Sequence, residues 1–112
     1  WTRTIIPDPT WLFRFSALTF NAHRIHYDRP YAMDIEGYPG LIVHGPLTAM
    51  LLLDLARGET DRPVSAFSFR GLGPLFDLAP FRLIATPGEA GVELEARGPD
   101  GQITMKASAE LG

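Results

Sequence analysis

The stretch PLTAMLLLDLARG, residues 46–58, decides the fold. Pro46 suits the first turn of a helix, where its missing N–H costs nothing. Arg57 puts a cation where the helix dipole is negative, and Gly58 suits the position just past the end. Leu47, Met50, Leu51, Leu52, Leu53 and Leu55 cover nearly the whole circumference, so this is not a surface helix with one wet side. It asks for burial on most faces, and a curved sheet wrapped around it would supply that.

Downstream of the helix the period changes. Residues 64–69 place Phe67 and Phe69 on one face of a strand, and three more strands fit residues 81–85, 91–97 and 102–110. Pro87-Gly88 and the GPDG run at 98–101 supply the turns between them. In the last strand Ile103, Met105, Ala107 and Ala109 alternate with Thr104, Lys106, Ser108 and Glu110, which expects one buried face and one at least partly wet. Residues 70–80 read as a connection whose Leu72, Leu75, Phe76 and Leu78 are too apolar to be fully exposed.

Upstream, Pro7 and Pro9 make the opening extended or turn-like. Either a short strand over 12–15 or a helical turn over 16–19 follows. Residues 20–46 are dense in polar and aromatic side chains and read as a loop with short helical pieces, where sites tend to sit. The expected class is α+β: short element, site-like loop, buried helix, then four antiparallel strands, with no repeat and no internal linker after the first ten residues.

Length and composition agree with one domain having one modest core: 112 residues, 46% apolar and 21% charged. A formal charge of −3 gives no reason to expect nucleic acid. Phe67, Phe69 and Phe81 could stack on RNA bases, but with Lys106 as the only lysine they read better as core. The absence of cysteine excludes disulfides and thiolate chemistry and fits a cytoplasmic location. The longest apolar stretch is interrupted by Thr48 and Asp54, well short of the ~20 residues that span a bilayer. The opening WTRTIIPDPTW has neither an initiator Met nor the order of a signal peptide, and reads as the start of a domain cut from something longer.

The loop concentrates the chemistry. It holds Asn21, His23, Arg24, His26, Tyr27, Asp28, Arg29 and His44, which includes every histidine of the chain. Histidine both gives and takes a proton near neutrality. At His44-Gly45-Pro46 a helix N-terminus is available to stabilise a developing oxyanion, with no side chain on Gly45 to block an approaching carbonyl. Gly45 equally suits a plain sharp turn before Pro46, and His23 or His44 could simply bond loop backbone. His23, His26 and Asp28 are spaced so that a metal is conceivable, but no H-E-x-x-H or cysteine pattern supports one, and none is expected.

The strings FSALTFNAHRIHYDRPYA and GYPGLIVHGPLTA, continued by FRGLGPLFDLAPFRL, resemble the MaoC-like dehydratase and hydratase family over nearly the whole chain. NAHRIHYD resembles the branch containing mesaconyl-CoA-type hydratases and mitochondrial 3-hydroxyacyl-thioester dehydratases. The resemblance implies a hot-dog fold, an antiparallel sheet wrapped around a long central helix, over residues 1–112 as a single domain. That domain would be the C-terminal part of a longer protein or one subunit of a pair.

The implied activity is reversible syn hydration of a 2-enoyl thioester, and the reverse dehydration of the 3-hydroxyacyl thioester, with coenzyme A carried as part of the substrate and no separate cofactor. The family's D-x-N-P-x-H loop puts its histidine on His26, its aspartate on Asn21 and its asparagine on His23. A neutral amide cannot be a general base. Either His26 is the base with Asn21 positioning water, or His23 supplies part of the missing role, or the site is weak. The family's carbonyl-binding N–H falls on Gly45, next to His44, while Arg24 and Tyr27 could orient the loop or touch the ligand. Implied partners are an acyl-CoA or acyl-carrier thioester and a second hot-dog domain, as homodimer or heteromer. A non-catalytic thioester-binding subunit and a thioesterase are the alternatives.

Overall fold

The computed structural model describes residues 1–112. A strand β1 (Thr2–Ile5) leads to helix α1 (Pro9–Leu18), a short 3-10 turn (Arg24–His26), a π-turn (Tyr31–Ile35) and the long helix α2 (Gly45–Gly58). Strands β2 (Val64–Gly71), β3 (Phe81–Pro87), β4 (Gly91–Arg97) and β5 (Ile103–Leu111) follow. All five strands form one antiparallel sheet in the order β1-β3-β4-β5-β2, which is not closed. This is the expected α+β hot-dog architecture, with the sheet curved around α2.

The helix forms where its leucines predict, and its inner arc of Leu47, Thr48, Ala49, Leu52, Leu55 and Ala56 is buried. The sheet's buried face alternates small and large side chains, Ala85, Ala96, Ala107 and Ala109 with Phe81, Leu83, Val92, Leu94 and Met105, so that the helix leucines interdigitate with it. Burial on most faces is not reached, however. Met50 is 58% exposed, and Leu51 and Leu53 are half-buried, because an open sheet covers one side of a helix only. Gly58 is the last helical residue rather than the one beyond it, and the N–H of Glu59 closes the end on Ala56 O at 3.3 Å.

The four downstream strands lie within two residues of their expected bounds. The GPDG turn uses Gly101 at φ 85°, a left-handed conformation that glycine adopts without penalty. On β5, Met105, Ala107 and Ala109 are buried as the alternation requires; Thr104 on the other face is buried too, its hydroxyl donating to Ala96 O at 3.2 Å. Phe67 and Phe69 share a face, 6.1 Å apart, and Phe81 is in the core. In the connection after β2, Leu75 is buried and Phe76 bridges to Ile42, but Leu72 and Leu78 are about half exposed.

The region before the loop departs from expectation. Residues 12–15 are not a strand. They lie inside α1, which starts at Pro9 because Asp8 caps it, its carboxylate accepting the N–H groups of Thr10 (2.7 Å) and Trp11 (3.3 Å). The helical alternative at 16–19 has the right type but starts seven residues, about two turns, too late and ends one residue too far. β1, which no sequence pattern marked, is held at the sheet edge by its register with β3, Thr2 opposite Ile84 and Ile5 opposite Phe81.

Candidate active site

The loop that carries the histidines is anchored on both sides. The N–H of Ile42 donates to Ile25 O (3.0 Å), that of Val43 to Leu75 O (2.8 Å) and that of Asp77 to Leu41 O (3.0 Å). Asp77, its side chain 2% exposed, accepts the Leu41 N–H at 3.0 Å and both terminal nitrogens of Arg29. Residues 41–43 are thereby fixed between the 3-10 turn and the connection after β2.

His26 hangs on this frame. Its Nδ1 lies 2.7 Å from Ile42 O, and a carbonyl only accepts, so Nδ1 carries the proton and the neutral ring offers its lone pair at Nε2. Nε2 makes no hydrogen bond and is reached by solvent, although His26 as a whole is 8% exposed. Burial lowers the pKa of His26, helped by the neighbouring His23 ring at 5.8 Å and opposed by the Ile42 carbonyl. At neutral pH it is an unprotonated imidazole with a bare nitrogen, the state a general base requires.

His44 lies flat against His26, ring centroids 3.8 Å apart and planes within 17°. It is 1% exposed, and burial with the His26 charge lowers its pKa to about 4. Its Nε2 shares a 2.7 Å hydrogen bond with Ser16 Oγ, Phe15 meets its ring edge-on at 4.8 Å, and its Nδ1 is buried with no partner. The next residue, Gly45, opens α2. Its N–H has no acceptor in the chain, and a Cβ there would meet nothing within 4 Å. A free amide at a helix N-terminus suits a developing oxyanion, and the open space beside it leaves room for a carbonyl. A small cavity of about 170 Å³ lies here, lined by Ile42, Gly45, Thr48, Gly71, Gly73 and Thr104, among others.

Asn21 Oδ1 accepts the His23 N–H at 3.0 Å, which leaves the amide NH₂ free to donate. With Ser16, Phe13, Ala17, Phe20 and Tyr27 it lines an apolar cavity of about 350 Å³. Two of the expected residues turn elsewhere. Arg24 forks onto Asp28 (3.1 and 2.9 Å) and covers the Tyr31 ring at 4.2 Å, and the Tyr27 hydroxyl donates to Ala22 O at 3.2 Å. His23, His26 and Asp28 form no cluster of metal-ligating spacing.

Ser16 and Asp77 were not singled out from the sequence. Ser16 falls one turn after Leu12 on the buried face of α1, and a lone hydroxyl on an apolar stripe is a visible signal once the segment is seen as helical. Nothing local marks Asp77, whose partners are 36 and 48 residues away. A larger cavity of about 620 Å³, at the far end of α2, holds Arg57 and Arg62. The Arg62 guanidinium is spent on the carbonyls of Glu89, Leu111 and Gly112.

A helix held in an open antiparallel sheet, with a histidine loop packed over the helix N-terminus, is the hot-dog domain of the MaoC-like hydratases and dehydratases. Within that class the chain belongs to the family of hydroxyacyl-thioester dehydratases of type 2, whose profile matches residues 1–77. It is 67% identical over 111 residues to the mesaconyl-C(4)-CoA hydratase of Chloroflexus aurantiacus, covering 99% of this chain and 40% of that protein. It is 40% identical over 80 residues to the mitochondrial hydroxyacyl-thioester dehydratase type 2 of Schizosaccharomyces pombe, covering 69% of this chain and 27% of that one. Among solved structures, HtdX of Mycobacterium tuberculosis superposes with a TM-score of 0.81 at 27% identity, over 96% of this chain and 43% of its own. The chain thus spans about two fifths, or less, of the length of these relatives. No helix is long and apolar enough to cross a membrane.

Proposed function

We propose that this chain carries the catalytic half of a reversible hydration of a 2-enoyl thioester, with His26 as the base and the Gly45 N–H as the oxyanion donor. The observation that carries it is the pairing of a bare, neutral His26 Nε2 with a free helix N-terminal amide, joined through the stacked ring of His44. In the forward direction His26 Nε2 takes a proton from water as the oxygen bonds to Cβ. The electron pair of the alkene moves to Cα and the thioester oxygen, where Gly45 holds the charge. The imidazolium then returns its proton to Cα, and the reverse sequence expels water. Asn21 takes the place of positioning water through its free NH₂, with its oxygen held by the loop.

Coenzyme A is the proposed carrier, supported by the name of the relative at 67% identity, and the cytoplasm the proposed location. Whether the acyl group is dicarboxylic bears directly on the arginines. Arg24 and Arg29 are both spent on carboxylates, those of Asp28 and Asp77, so a distal carboxylate finds no free buried arginine in this chain. A second hot-dog domain, in another chain or another part of a longer one, is part of the same proposal. It is supported by β2, which pairs with β5 on one side only and is largely exposed. One observation favours the rival of a thioester-binding subunit without turnover: no carboxylate hydrogen-bonds to His26 or His44.

The test follows loss of the 2-enoyl absorbance with crotonyl-CoA and mesaconyl-CoA, for the chain and for His26→Ala, with release of free thiol monitored in parallel. Turnover by the chain that drops at least about 10²-fold in the variant supports the proposal. Thiol release without prior hydration would make it a thioesterase, and binding without turnover in either protein would make it a binding subunit.

A further inference from the structure

Ser16 has no part in the chemistry above, yet it is the only hydrogen-bonding partner of the ring that supports the proposed base. We propose that Ser16 is a positioning residue: by holding His44 Nε2 it fixes the ring against which His26 is stacked, and so keeps His26 aligned on the Ile42 carbonyl with its Nε2 free. This rests on the assignment of His26 as base.

Three observations carry it. The Ser16 hydroxyl is 4% exposed and sits 2.7 Å from His44 Nε2, across two elements 28 residues apart. Whichever of the two atoms carries the shared proton, His44 Nδ1 is left buried and unpaired. Such an atom is costly to keep out of water, so the ring stays in place only while its other nitrogen is satisfied. Finally, the His44 ring covers His26 at 3.8 Å, face to face, which makes the position of one ring the environment of the other.

The groups that face this stack are few. α1 offers Ser16 and the edge of Phe15, neither of which titrates. The loop offers His23 at 5.8 Å from His26. The segment at 41–43 offers the Ile42 carbonyl, and α2 the positive end of its dipole at Gly45. Asp28 is engaged by Arg24 rather than by either ring. Burial is accordingly the main influence on both histidines, and a ring that swings out admits water to its neighbour.

The decisive measurement is an NMR titration of the His26 ring without substrate, in the unmodified chain, in Ser16→Ala, in His44→Phe and in the double variant. Phenylalanine keeps a flat ring in the stack and needs no hydrogen bond. Ser16→Ala is expected to raise the His26 pKa toward its ordinary value near 6.5, and to leave it unmoved when His44 is already phenylalanine. On crotonyl-CoA the same substitution is expected to lower kcat about tenfold with little change in KM, and to move the acid limb of the pH profile upward with the titration. Should Ser16→Ala fail to fold, Ser16→Cys, close in shape with a poorer donor, is expected to show a smaller shift of the same sign. An unmoved His26 titration, or an equal shift in both His44 backgrounds, overturns the proposal. Because the titration needs no turnover, absence of hydratase activity would defeat the proposed function and leave this result to be judged separately.

Discussion

At the scale of single residues the histidine stack makes stability depend on pH. His44 holds its proton only below about pH 4 when folded, whereas the unfolded imidazole takes one near 6.5. Above 6.5 the two states bind alike. Between 6.5 and 4 the unfolded chain binds more protons, so stability falls as pH falls, by about 2 kcal/mol from pH 7 to pH 5 for this one group. His26, shifted the same way, adds to the loss. Urea unfolding across that range checks this, with His44→Phe expected to flatten the dependence. A second outcome concerns the clamp at Asp77. Replacing it by alanine deprives Arg29 and the Leu41 N–H together and is expected to cost about 2–4 kcal/mol; asparagine, which keeps an acceptor for Leu41, should cost less. A lower urea midpoint and faster exchange of the Leu41 amide would report it. These residues also mark how far the sequence could be read. His26, His44, His23 and Asn21 were legible because loop histidines cluster within 24 positions. Ser16 and Asp77 were not, because they are defined by contacts across 28 to 48 residues.

Among the elements, α2 and the four strands after it could be read because each obeys a single period: leucines around a helix, alternation along β5, GPDG between β4 and β5. α1 was misjudged because Trp11, Leu12, Phe13 and Phe15 are crowded aromatics and aliphatics that favour strands when taken alone. Its cap decides otherwise. Asp8 satisfies two of the amides that every helix start leaves unpaired, and Pro9 needs no partner for its own. Asp8→Ala is therefore expected to destabilise the protein by about 1 kcal/mol. Asp8→Asn, which keeps the accepting oxygen, should recover most of it in the same thermal or urea melt. Loss of stability from both variants alike would mean that charge, not capping, matters there. Because α1 carries Ser16 to His44, a frayed α1 should also weaken the site.

The whole molecule is flatter than a self-sufficient domain of its length. It measures 47 × 30 × 20 Å, with a radius of gyration of 14.6 Å against about 13 Å expected for 112 residues. The sheet is open: β2 ends it with an unpaired edge, Phe69 on that strand is 50% exposed, and Met50 on α2 is 58% exposed. Arg70 is the only charge within β2 and Pro63 lies just before its start, so the stretch that holds Phe67 and Phe69 carries neither of these devices by which edge strands normally avoid association. Sequence alone could not have located this edge, since strand order depends on which chains of hydrogen bonds close, and β2 is the first strand after α2 but the last in the sheet. The proposed second hot-dog domain would pair at this edge, with its own β2 antiparallel to this one. For the chain by itself the expected outcome is a homodimer, a sedimenting mass near twice 12.4 kDa, and Phe69→Lys is expected to return it to a monomer by placing a charge where an apolar face must close. Should the unmodified chain already sediment as a monomer at tens of micromolar, self-pairing is wrong and the second domain must be a different one, so the hydratase assay would then be repeated with candidate hot-dog partners added. If instead the dimer survives Phe69→Lys, the contact lies elsewhere and the exposed edge of β2 has another use.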